Sequence, residues 1–206
     1  MIELQNIDFS VGQRQILRNV SLKIPAGGRL LIRGDSGTGK STILRLILGL
    51  VQPDSGRVII DEETQNRNNI WSQRLKMAYV SQDMQLGRGK TESFIKEVFS
   101  YRNNRHLTYD RRDVEKYFDL FGMNGVTPEH RLEDLSGGEL QRVAIITALL
   151  LKRPIYLLDE ITSALDANLK IKITGHFLSM KNATLVIVSH DQHWYEHDIQ
   201  TLTLDA

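Results

Sequence analysis

The sequence predicts an α/β fold with a parallel-sheet core, an antiparallel β subdomain at the N-terminal end and an inserted helical subdomain. Strand-length apolar runs alternate with helical patterns through most of the 206 residues. The early runs alternate in polarity, as in an antiparallel meander, whereas the later ones are almost wholly apolar, as in strands covered on both faces. Between about residues 83 and 149 three helical patterns follow one another without a strand, which indicates the inserted subdomain.

The boundaries of each element follow from these patterns. Apolar runs predict strands at 1–4, 21–24, 30–33, 58–61, 77–81, 155–159, 184–189 and 201–204. A 3.6-residue spacing of apolar residues predicts helices at 40–50, 91–101, 109–121, 137–151 and 168–180. Thr108 is the predicted N-cap of the third helix, and Gly122 its stop. We expect one domain, 1–206, whose core is formed by 1–82 and 150–206 and whose helical subdomain is 83–149.

Composition excludes several classes of protein. Lys and Arg number 26 and Asp and Glu 25, so a net charge of +1 draws the chain neither to nucleic acid nor to anionic lipid. The absence of cysteine excludes a disulfide scaffold and a cysteine zinc site. The N-terminus lacks the pattern of a signal peptide, and the apolar stretch "VAIITALLL" is too short to cross a bilayer. We expect a soluble chain that binds no nucleic acid.

The segment "GDSGTGKST", between a predicted strand and a predicted helix, matches the pattern of a phosphate-binding loop. Its residues are Gly34, Asp35, Ser36, Gly37, Thr38, Gly39, Lys40, Ser41 and Thr42. Glycines let successive backbone amides turn toward phosphate oxygens at the positive end of a helix. Lys40 would reach the β- and γ-phosphates, and the Ser41 hydroxyl would be a ligand of Mg²⁺. The alternative is an ordinary strand-to-helix turn.

Two carboxylates end the apolar run "IYLLDE". Asp159 can supply an oxygen ligand to the same Mg²⁺, directly or through water. Glu160 can accept a proton from a water molecule that attacks the γ-phosphate. The alternative is a solvated loop in which Ser163 and Asp166 cap the next helix.

Two further polar residues follow apolar strands. His190 can hydrogen-bond the γ-phosphate or orient the attacking water, although a histidine in a loop often has no role. Gln82 can bind Mg²⁺ or position water, although a glutamine there is unremarkable in isolation.

The segment "LSGGELQR" contains a capping box, with Ser136 at the N-cap and Glu139 three residues later. A capping box does not explain Gly137 and Gly138, because glycine is a poor helix former. A helix N-terminus without side chains is a second anion-binding site, so the chain carries two phosphate-binding devices.

Taken together, these segments resemble the ABC-type ATPase family over essentially the whole chain. Six elements stand in the family's order: "GDSGTGKST" as Walker A, Gln82 as the Q-loop, "LSGGELQR" as the signature, "IYLLDE" as Walker B, "SALD" as the D-loop and His190 as the switch histidine. The resemblance implies a head-to-tail homodimer with two ATP molecules at the interface. In that dimer the cleft of one subunit would face the other's signature residues Ser136, Gly137 and Gly138.

The resemblance further implies a transporter subunit at the cytoplasmic face of the cell membrane. A separately encoded membrane protein would dock at about residues 83–101. Within the family, Ile161 and the segment "SHDQHWYEHD" look like the ATP-binding subunits of iron exporters. The alternative is a soluble ABC protein that acts on nucleic acid or ribosomes, or a nucleotide-gated module without turnover.

One position departs from the family pattern. The family stacks adenine on an aromatic residue after the first strand, and Val11 stands there instead, with Phe9 as a substitute two residues earlier. We therefore expect ATP and GTP to bind with similar affinity. His190, His193 and His197 are spaced for one helix face, but no carboxylate spacing completes a metal-ligand set, so we favour polar histidines on an amphipathic helix.

Overall fold

The computed structural model describes residues 1–83, 85–195 and 199–204. The strands are β1 (Ile2–Val11), β2 (Arg14–Ile24), β3 (Arg29–Gly34), β4 (Ser55–Ile60), β5 (Glu63–Thr64), β6 (Met77–Val80), β7 (Ile155–Asp159), β8 (Thr184–Val188) and β9 (Gln200–Leu204). The helices are α1 (Lys40–Ile47), α2 (Ile70–Arg74), α3 (Thr91–Ser100), α4 (Arg111–Leu120), α5 (Gly137–Leu150) and α6 (Ala167–Ser179). Among these helices none is both long and apolar enough to cross a bilayer.

The core is a parallel five-stranded sheet in the order β6-β7-β8-β3-β9. Every residue of β7 and β8 is buried, which explains why these segments are continuous apolar runs. Asp159 pairs with Val188, and Gly34 pairs with Leu204. The carboxyl ends of these strands therefore lie along one edge of the sheet, where ligands of α/β proteins bind.

A second sheet is antiparallel, in the order β2-β1-β4-β5. Its β1–β2 hairpin is much longer than the predicted strands at 1–4 and 21–24, because exposed polar residues interrupt the apolar pattern of its outer part while backbone pairing continues as far as Val11 and Arg14. The short elements β5 and α2 lack a pattern long enough for prediction.

The described residues of the predicted helical subdomain, 83–149, contain the α-helices α3, α4 and nearly all of α5, which ends at Leu150. The prediction that Thr108 is the N-cap of α4 is wrong. The Asp110 side chain caps this helix instead, by accepting a hydrogen bond from the Arg112 amide at 2.9 Å. A carboxylate at the N-cap also complements the positive end of the helix, which the Thr108 hydroxyl would not.

The C-terminal end of α1 is fixed by a side chain of α2. The Arg74 guanidinium donates to the carbonyls of Leu48 and Gly49, at 2.7 and 2.9 Å. The same group lies 4.8 Å from the ring centre of Trp71, whose side chain is 69% exposed. Carbonyls left free at a helix terminus favour a cation, so Arg74 ties α2 to α1.

Candidate functional site

A cleft of about 630 Å³ opens at the carboxyl edge of the parallel sheet. The predicted site residues that line it are Ser36, Gly37, Gly39, Lys40, Ser41, Thr42, Gln82, Asp159, Glu160 and His190. They come from the loop after β3, the first turn of α1, and the ends of β6, β7 and β8. Residues that are far apart in sequence thus meet because parallel strands end on one side.

The phosphate-loop pattern forms a tight turn that leads into α1. Gly39 is the N-cap with φ of 98°, a conformation that side chains other than glycine rarely adopt. The buried Lys40 ammonium donates to the carbonyls of Gly34 and Asp35, both at 2.7 Å. Gly34, Asp35 and Thr38 do not line the cleft but support this turn, with the Thr38 hydroxyl donating to the Asp35 carbonyl at 2.9 Å. The first amides of α1 are left facing the cleft, as an anion site requires.

Asp159 is a buried carboxylate with oxygen neighbours suited to a hard cation. The Ser41 hydroxyl donates to its Oδ1 at 3.1 Å, and the Tyr79 hydroxyl donates to its Oδ2 at 3.4 Å. Burial raises the pKa of Asp159, and the hydrogen bonds from Ser41 and Tyr79 oppose this rise. A buried carboxylate beside a hydroxyl group and Gln82 fits Mg²⁺, since oxygen ligands are those that this ion prefers.

Glu160 has a strained backbone next to this pair. Its φ is 50°, a left-handed conformation that costs a residue with a side chain about 1–3 kcal/mol. Its amide donates to the Val188 carbonyl at 2.9 Å, and its Oε1 lies 3.6 Å from Nε2 of His190. Burial raises the pKa of Glu160, against the effect of His190 and Lys40. A carboxylate with a raised pKa is a better proton acceptor.

The cleft also contains residues that were not predicted, among them the polar residues Thr162, Lys170 and Asp191. The Lys170 ammonium lies 3.2 Å from Oδ2 of Asp191. Oδ1 of Asp191 accepts from the His193 amide at 3.1 Å and lies 2.6 Å from His193 Nδ1. These contacts attach the loop that carries His190 to α6, and the position of Asp191 directly after His190 was the one signal in the sequence.

The histidines considered as metal ligands were His190, His193 and His197. His193 contacts Asp191, and His197 lies outside the described residues. In the described part of the chain no group of three or more His, Asp or Glu side chains could hold a metal ion.

The alternative interpretation predicted that Asp166 caps the helix after β7, and the structure shows this cap next to the site. The Asp166 side chain caps α6 by accepting from the Leu169 amide at 3.0 Å, whereas the Ser163 hydroxyl donates to the Glu160 carbonyl at 2.9 Å.

The signature segment does not join this cleft in the same chain. Ser136 and Glu139 form the predicted capping box at the start of α5. Gly137 is exposed, and a Cβ atom added to it would meet nothing within 4 Å, so packing within the chain does not require glycine there. Gly138 is tighter, since its added Cβ would stand 3.2 Å from the Ala164 carbonyl.

The prediction that Phe9 substitutes for the missing aromatic residue at position 11 is wrong. Val11 and Ile16 line the cleft, and Val11 is 62% exposed. Phe9 does not line it and packs instead against the core cluster between the two sheets.

Comparison with known proteins identifies the family. The family model described as "ABC transporter" matches residues 17–163. The Fe(3+) ions import ATP-binding protein FbpC of Escherichia coli O157:H7 is 30% identical over 196 residues, which cover 93% of this chain and 55% of that protein. The energy-coupling factor transporter ATP-binding protein EcfA1 of Streptococcus agalactiae serotype Ia is 32% identical over 203 residues, covering 93% and 71%. The chain thus spans about half the length of the first of these relatives.

Solved structures show the same similarity. The dimeric structure of MJ0796, a bacterial ABC transporter cassette, is 28% identical with a TM-score of 0.83, covering 100% of this chain and 94% of that chain. An ATP-bound bacterial Atm1-family ABC exporter is 28% identical with a TM-score of 0.87, covering 99% and 37%. The chain therefore belongs to the ABC transporter family, and the predictions of an ABC-type P-loop NTPase fold and of an ATP-binding cassette are confirmed.

Proposed function

We propose that this chain binds Mg-ATP and hydrolyses it to drive transport through a separately encoded membrane subunit, at the cytoplasmic face of the cell membrane. One observation carries the proposal: the buried Asp159 carboxylate accepts a hydrogen bond from Ser41 of the phosphate loop, in the same cleft as Glu160 and His190. Bound Mg²⁺ would neutralise the charge of the β- and γ-phosphates. Two similar proteins are named as ATP-binding proteins of an ion importer and of a transporter, which supports this role.

Each residue of the cleft then has a chemical role. Ser41, Gln82 and Asp159 would hold Mg²⁺, since they offer a hydroxyl, an amide oxygen and a carboxylate. Lys40 would exchange its bonds with loop carbonyls for bonds with phosphate oxygens. Glu160 would take a proton from the attacking water, and His190 would hold the γ-phosphate or that water.

We also propose a head-to-tail homodimer in which two ATP molecules are enclosed. Ser136, Gly137 and Gly138 lie outside the chain's own cleft, yet two of them form a helix start that a phosphate can approach closely. A second copy would bring this helix start to the nucleotide, and a two-fold axis would make both sites equivalent. The similarity to a dimeric cassette supports this arrangement.

The proposed docking site of the membrane subunit is at residues 83–101, in the helical subdomain predicted at 83–149. The segment includes α3, which joins the loop after Gln82 to this subdomain. Purification of the chain with an integral membrane protein would support transport. Purification with ribosomes or nucleic acid would favour the alternative, a soluble ABC ATPase.

For the cargo, the resemblance at Ile161 and residues 189–198 supports a metal ion, iron in particular, moving out of the cell. Cells that lack this chain should then retain more iron after an iron load. Unchanged iron content would remove iron from the candidate cargoes.

Hydrolysis is tested by Glu160→Gln, which keeps the size of the side chain but removes the proton acceptor. We expect this variant to bind Mg-ATP and to form a stable dimer, with hydrolysis reduced at least about 100-fold. Glu63→Gln, at an exposed position of β5, is the matched control and should behave as the wild type. Full hydrolysis by Glu160→Gln would overturn the assignment, and a monomer that encloses Mg-ATP alone would overturn the dimer.

A further inference from the structure

The end of the cleft that would receive a nucleotide base has no aromatic ring. In the described part of the chain, no Phe, Tyr or Trp lines the cleft, and Val11 and Ile16 supply its apolar surface there. A base held by these two side chains alone would have one aliphatic wall and no stacking partner. A stacking partner for the base would therefore have to be another group near Val11.

Arg14 is placed to be that group. Val11 and Arg14 are paired across the β1–β2 hairpin, so their side chains project from the same face. Nη2 of Arg14 lies 3.5 Å from the carbonyl oxygen of Gly37, which is part of the phosphate loop. Arg14 lines a cavity that adjoins the cleft and shares Ile16 and Gly37 with it, so the guanidinium extends from the hairpin over the loop and lies next to the cleft.

The contact between Arg14 and Gly37 is weak enough to be exchanged. A hydrogen bond of 3.5 Å is at the long limit, and Arg14 is exposed to solvent. A bound nucleotide can therefore turn the guanidinium plane without breaking a strong interaction. The same side chain is planar and always charged, and such groups stack on aromatic faces.

We propose that Arg14 is the stacking partner of the nucleotide base, with Val11 beside it as the apolar contact. This inference rests on the proposed function, because it concerns the nucleotide bound in the same cleft. Stacking tolerates any base, since every base has a π face. The site should therefore bind ATP and GTP with similar affinity.

Binding measurements with three ligands test this role: Mg-ATP, Mg-GTP and inorganic tripolyphosphate with Mg²⁺, which lacks a base. For Arg14→Ala we expect Kd to rise about tenfold or more for both nucleotides and to change less than about twofold for tripolyphosphate. Arg14→Lys keeps the charge without the plane and should lose most of the affinity. Arg14→Tyr should restore it. The control is Arg18→Ala, at an exposed position of the same strand, with unchanged binding expected.

The outcomes separate the stacking role from the proposed function. If the wild type binds no Mg-ATP, both fail. If the wild type binds Mg-ATP and Arg14→Ala binds it equally well, only the stacking role fails. An equal loss of tripolyphosphate affinity would show that Arg14 binds phosphate, and a strong preference for ATP over GTP would contradict stacking as the main base contact. Far-UV circular dichroism of each variant verifies that it is folded.

Discussion

Replacing Asp191 with alanine should destabilise the chain by about 3 kcal/mol. Oδ1 accepts from the His193 amide at 3.1 Å and lies 2.6 Å from His193 Nδ1, while Oδ2 lies 3.2 Å from the Lys170 ammonium. A hydrogen bond to a charged group contributes about 1.5–3 kcal/mol, and a capping side chain about 1 kcal/mol. The Asp191 side chain is 9% exposed, but that of Lys170 is 27% exposed, so the ion pair contributes at most about 1 kcal/mol.

The loss of stability caused by Asp191→Ala is measured by thermal unfolding. In a domain of this size about 1 kcal/mol shifts Tm by about 2–4 °C, so Asp191→Ala should lower Tm by about 6–12 °C. Asp191→Asn keeps the shape and one acceptor and should have a smaller effect. Asp119→Ala, at an exposed position near the end of α4, is the control, with a Tm close to that of the wild type. A decrease below about 2 °C for Asp191→Ala would refute the argument that these contacts hold the loop of His190 to α6.

Three further substitutions test other parts of the structure. Tyr79→Phe removes one hydrogen bond to Asp159 and should raise the Mg²⁺ concentration for half-maximal hydrolysis up to about tenfold; an unchanged value would show that the 3.4 Å contact is unimportant. Gly39→Ala places a side chain at φ of 98°, so it should lower the stability of the chain by about 1–3 kcal/mol, measured as a lower urea midpoint. The same variant should bind Mg-ATP more weakly. The pKa of Glu133 is lowered to about 2, first by the hydrogen bond from the Gly89 amide, so its stabilising effect is complete above its ordinary pKa of 4.5 and is lost as the pH falls toward 2. The urea midpoints of wild type and Glu133→Gln should therefore approach each other as the pH falls from about 5 toward 2, and a constant difference would contradict this.

The core strands could be predicted because burial on both faces leaves a continuous apolar signal, as in β7 and β8. The outer half of the β1–β2 hairpin could not, because backbone hydrogen bonds hold it and most of its side chains are exposed or only partly buried, which interrupts the apolar pattern. The predicted N-cap of α4 was wrong for a different reason. Thr108 and Asp110 are both good capping residues, and sequence alone does not show which one precedes the first helical turn.

The phosphate loop and the two carboxylates could be predicted since each lies in a short continuous segment. The contacts of Tyr79 and Lys170 could not, because they depend on which strand and helix lie next to each other. Pairing of β6 with β7 places Tyr79 opposite Leu157, two positions before Asp159, and so brings its hydroxyl to the carboxylate. The spacing of residues in the sequence does not show which strand lies next to β7.

Helix α1 has the phosphate loop at one end and the Arg74–Trp71 contact at the other. Its eight residues span only about 12 Å, and a helix that short behaves as a stiff rod. A force on the exposed Trp71 ring would pass through the Arg74 guanidinium to the last carbonyls of this rod. Helix α1 contacts β3, β7 and β8 of the parallel sheet, which leaves it little freedom to bend, so a push at the surface would be passed to the first amides, those of Lys40 and Ser41.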